Sequence, residues 1–140
     1  LATLSRALFG SEAAQLRAGI SASITLVGHR LEPGNRFIGI TTVLRGSLIA
    51  GINPFWGGGD GPLRWLDVRA PAPRLWLVAP LVLLGRATGW MRDAGYRSGR
   101  TTRIDLTGVE HLVLDGEQLV FDRGTPLRLT ATETIRVLAV

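Results

Sequence analysis

The sequence predicts a mainly β fold, namely an antiparallel, sandwich-like domain with one or two covering helices. Short segments of alternating apolar and polar residues recur along most of the chain, and Gly- and Pro-rich turns separate them. No regular alternation of strands with helices indicates a parallel sheet. The length of 140 residues fits a single domain, residues 1–140, that is large enough to bury a core.

The first half of the chain contains one predicted helix and three predicted strands. Apolar spacing indicates the helix, and period-two alternation indicates the strands. The first two strands flank a turn, so we expect them to form a hairpin or to be close neighbours in one sheet. The predicted elements are a helix over 1–16, strands over 20–26, 37–44 and 63–68, a turn over 28–35 and a loop over 46–61.

The second half begins with the main helix candidate, Arg74 to about Gly89, which is apolar on nearly all sides and is therefore expected to be buried. Pro80 is expected to kink this helix or to begin a new first turn. Its most apolar part, 75–84, is too short to cross a membrane, which needs roughly 20 residues. It is either a core helix or a surface that touches a membrane. A basic loop over 89–100 and short strands over 102–106, 111–114, 118–121, 127–130 and 134–140 complete the prediction.

The charge favours anionic partners and excludes some chemistry. The sequence has 16 cationic and 11 acidic side chains, a net charge of +5, and every cation is an arginine. Without lysine or cysteine the chain has no P-loop lysine, no Schiff base, no disulfide and no thiolate nucleophile. An all-arginine surface suits phosphate recognition, but a genomic codon bias toward arginine is the favoured explanation.

Two motifs carry candidate functional residues. Asp115-Gly116 is a tight-turn signal between two short strands, so Asp115 and Glu117 are expected at the tip of a hairpin, available to a ligand. The alternative is an ordinary polar turn. The glycine-rich run 57–61 offers backbone amides to a phosphate, and Asp60 within it is a candidate metal ligand. However, Pro62 and a strand follow rather than a helix, which favours a flexible or tightly turning loop. His29 and His111 are interpreted as surface histidines or as histidines with satisfied hydrogen bonds.

In their order along the chain, these motifs resemble the C-terminal domain of the diacylglycerol kinase-like lipid kinases, which include bacterial lipid kinases and sphingosine kinases. The resemblance covers about residues 20–140. The shared features are a strand–turn–strand unit, the glycines 57–59, Asp60-Gly61 leading to Leu66-Asp67-Val68, a helical stretch, and Leu114-Asp115-Gly116-Glu117 before the last strands.

The resemblance implies an ATP-dependent kinase that phosphorylates a lipid hydroxyl, diacylglycerol-like or sphingoid. Glu117 would be the catalytic general base, Asp115 would belong to the nucleotide or metal network, and Asp60 would match a magnesium ligand. The family binds ATP and Mg²⁺ mainly through an N-terminal lobe that is not part of this sequence, and the run 58–62 has Pro where the nucleotide motif has Thr. We therefore expect the isolated chain to be inactive.

The expected partners are a membrane lipid substrate, the N-terminal lobe of the same polypeptide and a second copy of the chain, whereas nucleic acid is not expected. No signal peptide or membrane span is predicted, and the expected location is cytoplasmic, peripheral at the inner face of the membrane. The alternative hypothesis is a non-catalytic β-rich module that binds anionic lipid or nucleic acid through its arginine surface.

Overall fold

The structure is a computed structural model that describes residues 18–43, 51–114 and 116–131. Within these ranges the chain forms two four-stranded antiparallel sheets, a two-stranded hairpin and two short helices. The predicted mainly β, antiparallel, sandwich-like fold with helical cover is thus confirmed. The helix predicted over 1–16 and the strand predicted over 134–140 lie outside the described residues.

The first sheet is built around its two longest strands. In spatial order its strands are β1 (Ile20–Ser21), β4 (Asn35–Thr42), β5 (Leu63–Arg69) and β6 (Tyr96–Thr101). β4 and β5 run antiparallel and stay paired up to Thr42 opposite Arg64, with one register irregularity near the start of β4. The predicted third strand, 63–68, is therefore confirmed.

The second sheet is joined to the first by two segments that pass from one sheet into the other. In spatial order its strands are β10 (Leu127–Thr130), β7 (Arg103–Thr107), β2 (Ser23–Leu26) and β3 (His29–Arg30). Only Ala22 separates β1 from β2, and only Thr102 separates β6 from β7. At the second of these corners Thr101 Oγ1 donates a hydrogen bond of 3.1 Å to the Arg103 carbonyl. Strands that switch sheets in this way form the corners of a sandwich.

A separate hairpin follows β7. β8 (His111–Leu114) pairs with β9 (Glu117–Val120), from His111 opposite Val120 to Leu114 opposite Glu117. Gly116 in the turn has φ of 89°, which glycine adopts without steric cost. The hairpin predicted from the Asp-Gly signal is confirmed.

Two helices cover the first sheet on the side away from the second sheet. α1 (Leu75–Leu83) and α2 (Gly89–Asp93) pack through Val78, Val82 and Met91 on Leu66 and Val68 of β5. Successive strand residues face opposite sides, so Leu63 and Trp65 of β5 face the second sheet instead, where they pack with Leu26 and Ile104. The result is three layers, namely helices, first sheet and second sheet, with one apolar core in each gap.

Three sequence predictions are wrong in detail. The region 89–100 is not a loop, because α2 and β6 occupy it. Thr88 is the N-cap of α2 and accepts a hydrogen bond from the backbone amide of Met91, the N3 residue. The main helix is shorter than Arg74–Gly89 and is not buried on all sides, since one face is exposed; it also continues through Pro80. The single strand predicted over 20–26 is two strands: β1 pairs with β4, so the expected neighbours in one sheet are found, but β2 belongs to the second sheet. Within the described ranges no helix is both long and apolar enough to cross a membrane.

Candidate functional site

An apolar cavity of about 370 Å³ lies between the two sheets. Its walls are mainly branched and aromatic side chains from both sheets, among them Ile24, Leu26, Trp65, Ile104 and Leu106. Gly39 of β4 also lines it, and no heavy atom beyond Gly39 and its two chain neighbours lies within 4 Å of the position that a Cβ would take there. The volume is within the range of small-molecule sites, which are typically apolar with a few polar groups that orient the ligand.

Three polar residues of the cavity lie next to the base of the β8–β9 hairpin, in addition to Ser21, Arg36 and Thr41 elsewhere in its lining. Glu110, His111 and Arg123 line the cavity and are at least partly exposed to solvent. Arg123 donates two hydrogen bonds to the Glu110 carboxylate, at 3.2 Å from Nε and 3.1 Å from Nη2. An exposed pair of this kind contributes at most about 1 kcal/mol to stability, so a polar ligand group can replace one partner at little cost. This end of the cavity thus suits the polar end of an amphipathic ligand.

Glu117 lies at the turn end of the same hairpin, on the face of Leu112, whereas His111, which also lines the cavity, is on the other face. Leu112 lines the cavity, and alternation puts Leu114 on the same side of β8. Glu117 is directly opposite Leu114, so its side chain shares that face. At about 3.4 Å per residue it lies roughly 10 Å along the hairpin from His111. The carboxylate is exposed, and no ion pair among the described residues includes it.

The other two candidate residues from the sequence are not placed at the cavity. Asp115, the candidate nucleotide or metal neighbour, lies outside the residues that the structure describes. Asp60 is exposed and does not line the cavity. Across the described ranges, no three His, Asp or Glu side chains come together as metal ligands. The metal role of Asp60 therefore stays a prediction, without a ligand set around it in this part of the chain.

The glycine-rich run packs tightly along the free edge of β6. Gly57, Gly59 and Gly61 all have positive φ, and a Cβ on them would lie 2.5, 2.5 and 2.3 Å from carbonyl oxygens of Ser98, Arg100 and Thr101. Between them the Gly58 carbonyl accepts a hydrogen bond of 3.1 Å from the Arg100 amide. The alternate glycines are thus required by close backbone packing, and the loop covers an otherwise open sheet edge. Of the two local alternatives, tight turn or flexible loop, the structure shows the tightly packed one.

A buried ion pair lies on β4 and β5. Arg36 Nη1 is 2.7 Å from Asp67 Oδ2, and Asp67 is only 1% exposed. Burial raises the pKa of the Asp67 carboxyl to about 6, although the charges of Arg36, Arg97 and Arg69 lower it. Asp67 Oδ1 and Arg36 Nε have no hydrogen-bond partner among the described residues. Desolvation therefore outweighs the attraction to the guanidinium groups.

Much of the arginine charge is neutralised within the protein. Glu32 pairs with Arg69 at 2.9 Å and with Arg97 at 3.0 Å, and the hydrogen bond from Arg97 is the main reason why the pKa of Glu32 is lowered. Asp105 likewise pairs with two arginines. The described arginines in ion pairs are Arg36, Arg69, Arg97, Arg103, Arg123 and Arg128. Fewer cations than the composition suggests are thus available to an anionic partner.

The cavity and the three polar residues next to the hairpin base were not identified from the sequence. His29 and His111 are exposed, which agrees with the first of their two predicted alternatives, but His111 also lines the cavity. Glu110 and Arg123 lie just outside the two strands of the predicted hairpin, where residues of opposite charge face each other. This position is the sequence signal that could have indicated them. The cavity has no local signal, because it depends on how two sheets pack.

Comparison of the chain with models of known protein families, with curated proteins and with solved structures finds no match. The similarity to lipid kinases therefore depends on the order of the motifs alone.

Proposed function

We propose that this chain is the C-terminal, lipid-binding domain of an ATP-dependent lipid kinase that works at the inner face of the membrane. The observation that carries the proposal is the position of Glu117, at the turn end of a hairpin whose base residues His111 and Leu112 line an apolar cavity. A lipid whose chain occupies the cavity would extend its polar end toward that carboxylate.

The cavity provides the binding energy for such a substrate. Each methylene group that moves from water into an apolar site contributes about 0.8 kcal/mol. The Glu110–Arg123 pair and His111 would then meet the polar part of the lipid next to the hairpin base. From this point the hydroxyl to be phosphorylated needs to reach roughly 10 Å along the hairpin.

Glu117 would act as the general base. Its carboxylate accepts the proton of the lipid hydroxyl while the hydroxyl oxygen forms a bond to the γ-phosphorus of ATP, and the bond from that phosphorus to the bridging oxygen breaks to release ADP. ATP with Mg²⁺, bound mainly by a nucleotide lobe outside this sequence, supplies the phosphoryl group and neutralises its charge. A single exposed carboxylate at Asp60 does not make a resident metal site by itself, so no step is assigned to it.

The base assignment is tested by Glu117→Gln in the full-length protein. Loss of the proton acceptor should reduce kcat by about 100-fold or more, while binding of the lipid and the fold stay unchanged. Gln118→Glu is a matched control, since it places a carboxylate one residue away on the opposite hairpin face. Wild-type turnover in Glu117→Gln would refute this role.

The lipid site is tested by Gly39→Phe. The position has space for a Cβ, and the ring would occupy part of the cavity. KM for a long-chain lipid should rise by about tenfold, whereas KM for a short-chain analogue should change much less. Gly58→Phe is the control, because Gly58 also has space for a Cβ but does not line the cavity. Equal effects of Gly39→Phe on both chain lengths would contradict the proposed chain site.

A further inference from the structure

One face of α1 exposes a continuous row of apolar side chains. Leu77 is 73% exposed, Trp76 61% and Leu84, directly after the helix, 60%. Leu83 and Pro80 are also exposed. These positions, 76, 77, 80, 83 and 84, recur every three to four residues and therefore lie on one side of the helix. The opposite side packs on the core, so the exposed row is additional to what the fold requires.

Such a row is unusual on a helix that faces water. A helix covering a sheet normally has polar residues on its outer side, and contiguous exposed apolar patches mark interaction sites. α1 has no charged or polar side chain from Leu75 to Leu84. Its outer side is therefore suited to an apolar environment.

The charges around this row identify the chemistry of that environment. Arg74 and Arg86 are exposed just before and just after the row along the chain, and Arg92 is exposed on α2; the sequence from 70 to 92 contains no acidic residue, and exposed Asp93 follows it. The guanidinium of Arg74 lies over the ring of Trp90, 5.7 Å from its centroid. Apolar side chains, two partly exposed tryptophans and a border of arginines match the interfacial region of an anionic bilayer, where tryptophan is favoured and arginine contacts phosphate.

We infer that the α1 face, defined as the exposed residues 76, 77, 80, 83 and 84 with Arg74, Arg86 and Arg92, docks on an anionic membrane surface. The helix has nine residues and is therefore about 14 Å long, too short to span a bilayer but suited to lie in its plane. The arginines would bind lipid phosphates while the apolar side chains enter the boundary with the acyl chains.

This inference deepens the proposed function, since it names the surface that brings the protein to its lipid, but it is measured separately. The α1 face lies on the helix side of the first sheet, and the cavity lies on the other side. Vesicle binding requires no ATP and no turnover. If the wild-type protein phosphorylates a dispersed short-chain lipid but does not bind vesicles, the α1 face alone is refuted, whereas vesicle binding through this face without any turnover would refute the kinase alone.

The experiment is co-sedimentation of the purified full chain with vesicles of phosphatidylcholine, with and without phosphatidylglycerol. The double variant Leu77→Asp/Leu84→Asp should weaken binding to the anionic vesicles by about tenfold or more, because it places charges in the apolar boundary. Val27→Asp is the matched control, because Val27 is 54% exposed in the β2–β3 turn, away from α1, and should bind as wild type does.

Arg86→Gln/Arg92→Gln tests the electrostatic part. This variant should lose most of the preference for phosphatidylglycerol, and wild-type binding should weaken as salt is raised from about 0.1 to about 0.5 M. Unchanged vesicle binding by Leu77→Asp/Leu84→Asp would overturn the inference. A lower thermal stability of that variant would also overturn it, because it would show that another part of the chain covers the face. A shift from dimer to monomer without any vesicle binding would overturn it as well, because it would identify a second copy of the chain as the occupant.

Discussion

Replacement of Asp67 by asparagine should change how stability depends on pH. Asp67 is almost completely buried, and its pKa is raised from 3.8 to about 6 because burial disfavours the charged form. Between these two values the folded protein binds a proton more tightly than the unfolded chain does. The free energy of unfolding contributed by Asp67 is therefore greatest at low pH and decreases as the pH rises from about 4 to about 6.

The size of the effect follows from the shift. A difference of about two pKa units, at about 1.4 kcal/mol per unit, corresponds to about 3 kcal/mol. Asp67→Asn removes this titration. Most of this change falls between pH 4 and pH 7, where the difference in unfolding free energy, Asp67→Asn minus wild type, should become more positive by about 2.4 kcal/mol. Taking the difference cancels the titration of Glu32 and Asp105, whose lowered pKa values act in the opposite direction.

The assay is urea unfolding followed by tryptophan fluorescence at a series of pH values. Arg36→Met serves as a second variant: without the Arg36 charge the pKa of Asp67 should rise further, and the decrease in stability should extend to higher pH. A difference that becomes more negative as the pH rises would refute the reasoning, because it would show that attraction to Arg36 outweighs the cost of burial.

Two further predictions concern stability alone. Val78→Ala removes two methyl groups from a fully buried side chain and should lower the free energy of unfolding by about 2 kcal/mol. Leu77→Ala, on the exposed side of α1, should change it by less than about 0.5 kcal/mol. Equal effects of the two substitutions would contradict the described orientation of α1. Gly59→Ala should lower the free energy of unfolding by about 2 kcal/mol or more, because its Cβ would lie 2.5 Å from the Arg100 carbonyl oxygen at φ of 124°. Gly58→Ala should leave the free energy of unfolding nearly unchanged. Similar denaturation midpoints for the two variants would contradict the tight packing of the loop on β6.

Local patterns predicted those elements whose conformation depends on neighbouring residues. The strands over 111–114 and 127–130 have the predicted bounds, because alternation and adjacent turn residues define them directly. β6 was missed because its sequence, YRSGRT, has little apolar alternation. Its stability comes from pairing with β5 and from the glycine-rich loop along its edge, and both partners are distant in sequence.

The candidate site likewise has a part that local sequence patterns predict and a part that depends on distant residues. The position of Glu117 at the turn end of a hairpin followed from a two-residue turn signal, and its face follows from the strand period. The cavity could not be predicted, because it is the space that remains where two sheets with different strands pack. The exposed side of α1 could not be predicted either. A helix that is apolar on all sides is expected to be buried, unless the size of the sheet surface that it covers is known.

The measurement that tests the central proposal most directly is lipid phosphorylation by the full-length protein, with ATP, Mg²⁺ and either diacylglycerol or a sphingoid base in mixed micelles. The proposal predicts a phosphorylated lipid whose formation falls by about 100-fold or more in Glu117→Gln and is retained in Gln118→Glu. Absence of product with every lipid, from a folded protein, would contradict the kinase and favour the non-catalytic module for anionic ligands.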